Sequence, residues 1–75
     1  MSFNYNRLRG RVIEKFGTMA VFASSVERSE SFISKVFNNK ASLDQSDIIQ
    51  WSGKLEIPQE DIPSYFFTVN ILERE

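Results

Sequence analysis

Ser31, Ser34, Lys35 and Asn38 fall together on one side of a short helical pattern, and their chemistry is that of surface recognition. Ile33, Val36 and Phe37 stand at i, i+3 and i+4 and define a buried face. A rotation of about 100° per residue then puts Ser31, Lys35 and Asn38 on the far side, with Ser34 at an edge. Serine and asparagine can hydrogen-bond base edges or phosphates, and Lys35 can reach guanine or a phosphate. Thr18, Arg28, Ser29 and Lys40 stand near helix ends, where phosphate contacts commonly arise. The plain alternative is a solvated helix face.

The same helix carries residues that suit a protein partner. Phe32 lies on its flank beside Lys35. Three fates are open to it: half-burial against the turn, contact with a thymine methyl, or service as an anchor for a partner. Glu30 in the first turn favours the helix N-terminus by a few tenths to about 1 kcal/mol. Near phosphate it would repel, whereas it could pair with a cation on a partner. Met19 opens the preceding helix where a polar, phosphate-binding residue would be more natural. Met19, Glu30, Phe32 and Lys35 are therefore the candidate partner-binding set.

The positioning elements are helical until near the end. Asn6 is expected to cap a first helix with an apolar stripe of Leu8, Val12, Ile13 and Phe16. Gly10, in mid-helix, costs about 1 kcal/mol relative to alanine unless another backbone packs against it. Gly17 ends that helix and Thr18 caps a second, about 19–25, with Phe22, Ala23 and Val26 inward. Ser29 caps the third helix, and Asn38 to Lys40 form its closing turn. Asp44 caps a fourth, with Asp47 in its first turn and Ile48, Trp51 and Leu55 inward; Glu56 lies in the turn beyond. Pro58 fits the first position of a short fifth helix, which Pro63 would limit. Phe67, Val69 and Ile71 then alternate with Thr68 and Asn70, a short strand pattern. A lone strand needs a partner, on its own body or in a second copy, so the tail is a candidate self-association element. The expectation is one domain over residues 1–75, with a bundle at 6–67 and a tail at 68–75.

Composition narrows the functions further. The 75 residues include no cysteine and no histidine. The usual zinc, haem and iron–sulfur ligand sets, thiol nucleophiles and the commonest general base are thereby excluded. The carboxylates form no paired acid–base arrangement, and no phosphate-cradling glycine loop is visible. Neither an enzyme nor a cofactor is expected. No apolar run approaches the roughly 20 residues of a membrane span, and the opening residues carry no apolar signal segment, so a cytoplasmic protein is expected. Net charge is −1, but it is polarised. Residues 1–40 carry seven cations against three carboxylates, net +4, and residues 41–75 two against seven, net −5. A basic half can face phosphates while an acidic half faces away.

The spacing of Phe22, Ala23, Val26, Ile33 and Val36 meets the steric demands of a helix-turn-helix. Ala23 is small where two helices meet, and Val26 closes the turn from inside. At the turn position that favours a left-handed residue stands Glu27, at a cost of about 1–2 kcal/mol unless the turn relaxes. "RLRGRVIEKFGT", "FA" at Phe22–Ala23 and "IPQEDIPSYFF" give the chain its resemblance to a known group. It resembles the small Cro-like, XRE-class helix-turn-helix regulators of Gram-positive temperate phages and prophages, over most of residues 6–67. That resemblance implies an all-α, five-helix, lambda-repressor-like bundle in a bacterial host, with a third helix that enters the major groove at phage promoters. Some relatives of this type act instead as antirepressors that bind a phage repressor. The first expectation is therefore operator DNA binding through the third helix, as a homodimer on DNA. The alternative is masking of a repressor's N-terminal domain.

Overall fold

The computed structural model describes residues 2–69. Among these, five α-helices form a small all-α bundle: α1 (Asn6–Phe16), α2 (Met19–Ser25), α3 (Glu30–Phe37), α4 (Gln45–Leu55) and α5 (Ile62–Phe66), with a 3-10 turn at Gln59–Asp61. The starts of α2, α3 and α4 follow from their caps. Thr18 Oγ1 accepts from the Val21 N–H at 3.2 Å, and Ser29 Oγ from the Phe32 N–H at 3.0 Å. Asp44 and Asp47 form a reciprocal capping box at α4. α1 begins differently from expectation. Its N-cap position is Tyr5, without a side-chain cap, and Asn4 Oδ1 accepts the Asn6 N–H at 2.9 Å. A short amide side chain reaches forward two residues as readily as three, which moves the cap upstream of Asn6.

Left-handed residues close the helices. Gly17, at φ 84°, ends α1. Glu27 (φ 59°), Asn39 (φ 61°) and Glu56 (φ 55°) do the same after α2, α3 and α4. After α2, the Glu27 N–H donates to Ser24 O at 3.2 Å and the Arg28 N–H to Ala23 O at 3.0 Å. This pair of bonds satisfies carbonyls that the helix end leaves open. It holds Glu27 left-handed, so the turn keeps that geometry and does not relax. The same pair recurs after α3, where the Lys40 N–H reaches Lys35 O at 2.7 Å.

The core gathers on Trp51. Its ring meets Phe22, Phe37 and Phe66 at centroid distances of 4.9, 6.3 and 6.5 Å, and Leu8, Val12, Ile33, Val36 and Leu55 are fully buried around it. Ile48 is half-buried. Ile13 departs from the expected stripe and is 45% exposed. It lies about 100° round the helix from Val12, outside the packed side of α1. The prolines also depart. Pro58 precedes the 3-10 turn, and Pro63 sits in the first turn of α5, so it starts that helix and does not limit it. A first-turn residue has no intrahelical partner for its N–H, which proline lacks anyway.

Long side chains tie the helices together. Arg11 Nε donates to Leu55 O at 2.9 Å and its Nη2 to Glu56 O at 3.0 Å, so α1 adds a cation to Lys54 at the end of α4. Lys15 Nζ pairs with Glu56 Oε1 at 2.8 Å. At the N-terminal side, the Asn39 amide accepts from Phe3 N at 2.9 Å and donates to Phe3 O at 3.0 Å. Phe3 in turn bridges to Val69 in antiparallel fashion, and the Asn4 N–H donates to Thr68 O at 2.7 Å. The start of the tail thus pairs with the chain's own body. The remainder of the expected strand, from Asn70 on, lies outside the described residues. Among the described residues, no helix is long and apolar enough to cross a membrane.

Candidate recognition face

The exposed side of α3 follows from its buried side. Ile33, Val36 and Phe37 are buried, so Ser31, Lys35 and Asn38 point out, with Ser34 and Glu30 on one flank and Phe32 on the other. Ser31, Lys35 and Lys40 are exposed, and their side chains make no hydrogen bond or ion pair among the described residues. Asn38 Nδ2 donates to Ser34 O at 3.0 Å, so its amide also helps to close α3. Thr18 and Ser29 spend a lone pair on their caps but keep a hydroxyl proton to donate. Ser31, Lys35 and Asn38 share the outer side of α3 with Ser34 at its edge, and Lys40 follows them just past the closing turn.

Arg28 is placed otherwise. Its Nη2 donates to both carboxylate oxygens of Asp47, at 2.8 and 3.0 Å, and its guanidinium lies 4.4 Å over the Phe32 ring. Asp47 is buried, 5% exposed, at the start of α4. Phe32 is half-buried beneath this arginine and packs on the core. The end of α3 nearest the α2–α3 turn therefore shows two exposed carboxylates, Glu27 and Glu30, and one cation already paired.

On the other flank lies a shallow groove of about 200 Å³, lined by Arg9, Met19, Glu30, Ser34, Phe37 and Asn38. Met19 is half-buried in its wall, and Arg9 sits 5.1 Å over the Phe37 ring. The groove combines an apolar floor with one cation and one carboxylate, which suits a side chain with an apolar stem and a polar tip. Arg9 and Asp47 were not among the candidate residues. The crowding of Arg7, Arg9 and Arg11 in the first helix was a signal for the former. Nothing local announces Asp47's role, because its partner is 19 positions away.

Backbone hydrogen bonding is the first cause of a lowered Asp44 carboxyl pKa: the Asp47 N–H donates to it, and the Ser46 hydroxyl adds a second bond. The Lys15 ammonium holds the Glu56 carboxyl low, by a hydrogen bond first and by its charge second.

Fold and face together define a small all-α module that presents one helix face, bordered by an aromatic on one side and a groove on the other. The chain belongs to the family described as "Protein of unknown function (DUF739)", which it matches over residues 1–69. It is similar in structure to the modulator of repression of the temperate bacteriophage TP901-1 from Lactococcus lactis, solved in solution. The TM-score is 0.78 at 36% identity, covering 93% of this chain and 97% of that one. No curated protein matches the chain.

Proposed function

We propose that the protein is a phage regulator of the lysis–lysogeny decision, a modulator of repression that binds the DNA-binding domain of a phage repressor through α3. One observation carries the reading. The entering end of α3 exposes Glu27 and Glu30, while Arg28 beside them is neutralised by Asp47. Phosphate is repelled from such an end, whereas the basic surface with which a repressor grips DNA complements it. Phe32 and the Met19 groove add apolar anchors of the kind that concentrate binding energy. Similarity to the TP901-1 modulator of repression supports the same reading. The activity is stoichiometric binding in the host cytoplasm, without a catalytic step.

Titration of a repressor N-terminal domain into the protein should give a saturable heat at a fixed stoichiometry, and the mixture should no longer shift operator DNA. Absence of heat, together with an operator shift by the protein alone, would sink the proposal.

Direct operator binding is the second reading. Ser31, Lys35 and Lys40 favour it, because they are exposed and uncommitted among the described residues. It calls for binding that weakens steeply with salt and with Lys35→Ala, on half-sites about one helical turn apart for a homodimer.

A further inference from the structure

We infer that Asp47 is a specificity-determining residue: by holding Arg28 it keeps the entering end of α3 from gripping phosphate. The inference rests on the proposed use of α3 for a protein partner, and it assigns the choice of partner class to a residue outside that helix.

Arg28 stands immediately before the Ser29 cap, a position from which a cation reaches phosphate. Its main chain is fixed there by the bond from its N–H to Ala23 O at 3.0 Å. Its side chain is 38% exposed, so solvent and ligands can approach it. Yet the guanidinium lies against Phe32 and spends Nη2 on both oxygens of Asp47, whose side chain is only 7% exposed. Asp47 thus holds the guanidinium, and Glu27 and Glu30, one and two positions away in the chain, add exposed negative charge to the same end of α3.

Capping does not require this charge. Asp47 also accepts from the Asp44 N–H at 3.3 Å, but a neutral acceptor serves a cap as well. A buried carboxylate is costly unless a cation meets it, and Arg28 is the cation that does. The charge at this position suits the first turn of α4 by at most about 1 kcal/mol, and Arg28 is the cation that meets it directly. Losing it would leave the arginine stacked on Phe32 with its charge no longer compensated by a carboxylate.

The test is Asp47→Asn, which keeps the cap acceptor, with Asp47→Ser as a second neutral variant. Folding is checked by circular dichroism. Binding to a labelled 30-base-pair duplex of arbitrary sequence is measured by fluorescence anisotropy across a salt series. The expected result is about tenfold tighter binding than wild type at low salt, the size of one charge-assisted bond. The plot of log affinity against log salt should steepen by about 0.9, one extra phosphate. Adding Arg28→Ala to Asp47→Asn should return both quantities to wild-type values. No gain overturns the inference. So does a gain that persists without Arg28, which would reflect net charge alone. Failure of both neutral variants to fold also overturns it, because Asp47 would then be a structural residue. Repressor titration of the wild type, run in parallel, separates the two ideas. Its failure removes the proposed function and leaves the duplex comparison to stand or fall by itself.

Discussion

Phe22 meets Trp51 edge to face, with ring centroids 4.9 Å apart and planes at 87°. Both side chains are fully buried, so this contact joins α2 to α4 at the centre of the bundle. Such a pair contributes about 0.5–1.5 kcal/mol beyond its buried area. Phe22→Ala should cost about 3–5 kcal/mol, much of what a domain this small possesses. Urea unfolding, followed by the fluorescence of the single tryptophan, should show a collapsed midpoint or no folded baseline.

Glycine placement offers two stabilising changes. A Cβ at Gly10 would meet nothing within 4 Å, so no close approach requires glycine there. Gly10→Ala should therefore add about 0.5–1 kcal/mol, through helix propensity. Glu27, left-handed at φ 59°, presents the opposite case. Glu27→Gly should relieve strain and raise the melting temperature by a few degrees, at about 4–8 °C per kcal/mol for a domain of this size. Thermal melts of both variants check the signs.

Arg11 spans α1 and the end of α4 through two carbonyls, Leu55 O and Glu56 O. Arg11→Ala should cost about 1–2 kcal/mol, as the end of α4 loses the two donors and the charge that Arg11 brings. Arg11→Lys should recover only part, because an ammonium does not reproduce the guanidinium fork. Denaturant midpoints rank the three proteins.

The acidic flank of α3 predicts a swap in binding. Glu30→Lys should weaken the repressor complex about tenfold or more and strengthen duplex binding. Phe32→Ala should weaken the repressor complex alone. Calorimetry against the repressor domain and anisotropy against a duplex read the two arms. Equal losses in both would argue that the variants perturb the fold and not the face.

Acid should destabilise the protein through Asp44 and Glu56. Both carboxyls lie below their ordinary values in the folded state, Asp44 chiefly through the Asp47 N–H and Glu56 chiefly through Lys15. Their contribution is complete above the ordinary carboxylate range and is lost as pH falls through the lowered values. Asp44→Asn keeps a cap but cannot titrate, so its urea midpoint should fall less between about pH 5 and pH 2.

Much of this was legible locally. Thr18, Ser29 and Asp44 cap the helices that their hydroxyl and carboxylate chemistry anticipates, because a cap needs only its own next three residues. The buried face of α3 followed from the spacing of Ile33, Val36 and Phe37, since helical periodicity alone turns them to one side. The outward set of Ser31, Lys35 and Asn38 followed from the same geometry. Asn6 and Ile13 were misread where two nearby positions could each serve, one as cap and one as stripe.

Tertiary structure alone decided what the long side chains do. Arg28 looks like a phosphate contact in the chain and is a partner of Asp47 in the fold. Arg11, in the first helix, closes α4 through carbonyls 44 and 45 positions away. Phe32 is half-buried beneath a guanidinium, a placement that follows from Arg28 and the core and not from its own flank position. The reason is physical. Caps and periodicity are set by bonds within one or two turns, which sequence order fixes. A flexible cation takes the carboxylate or carbonyl that packing brings near, and packing answers to the core as a whole.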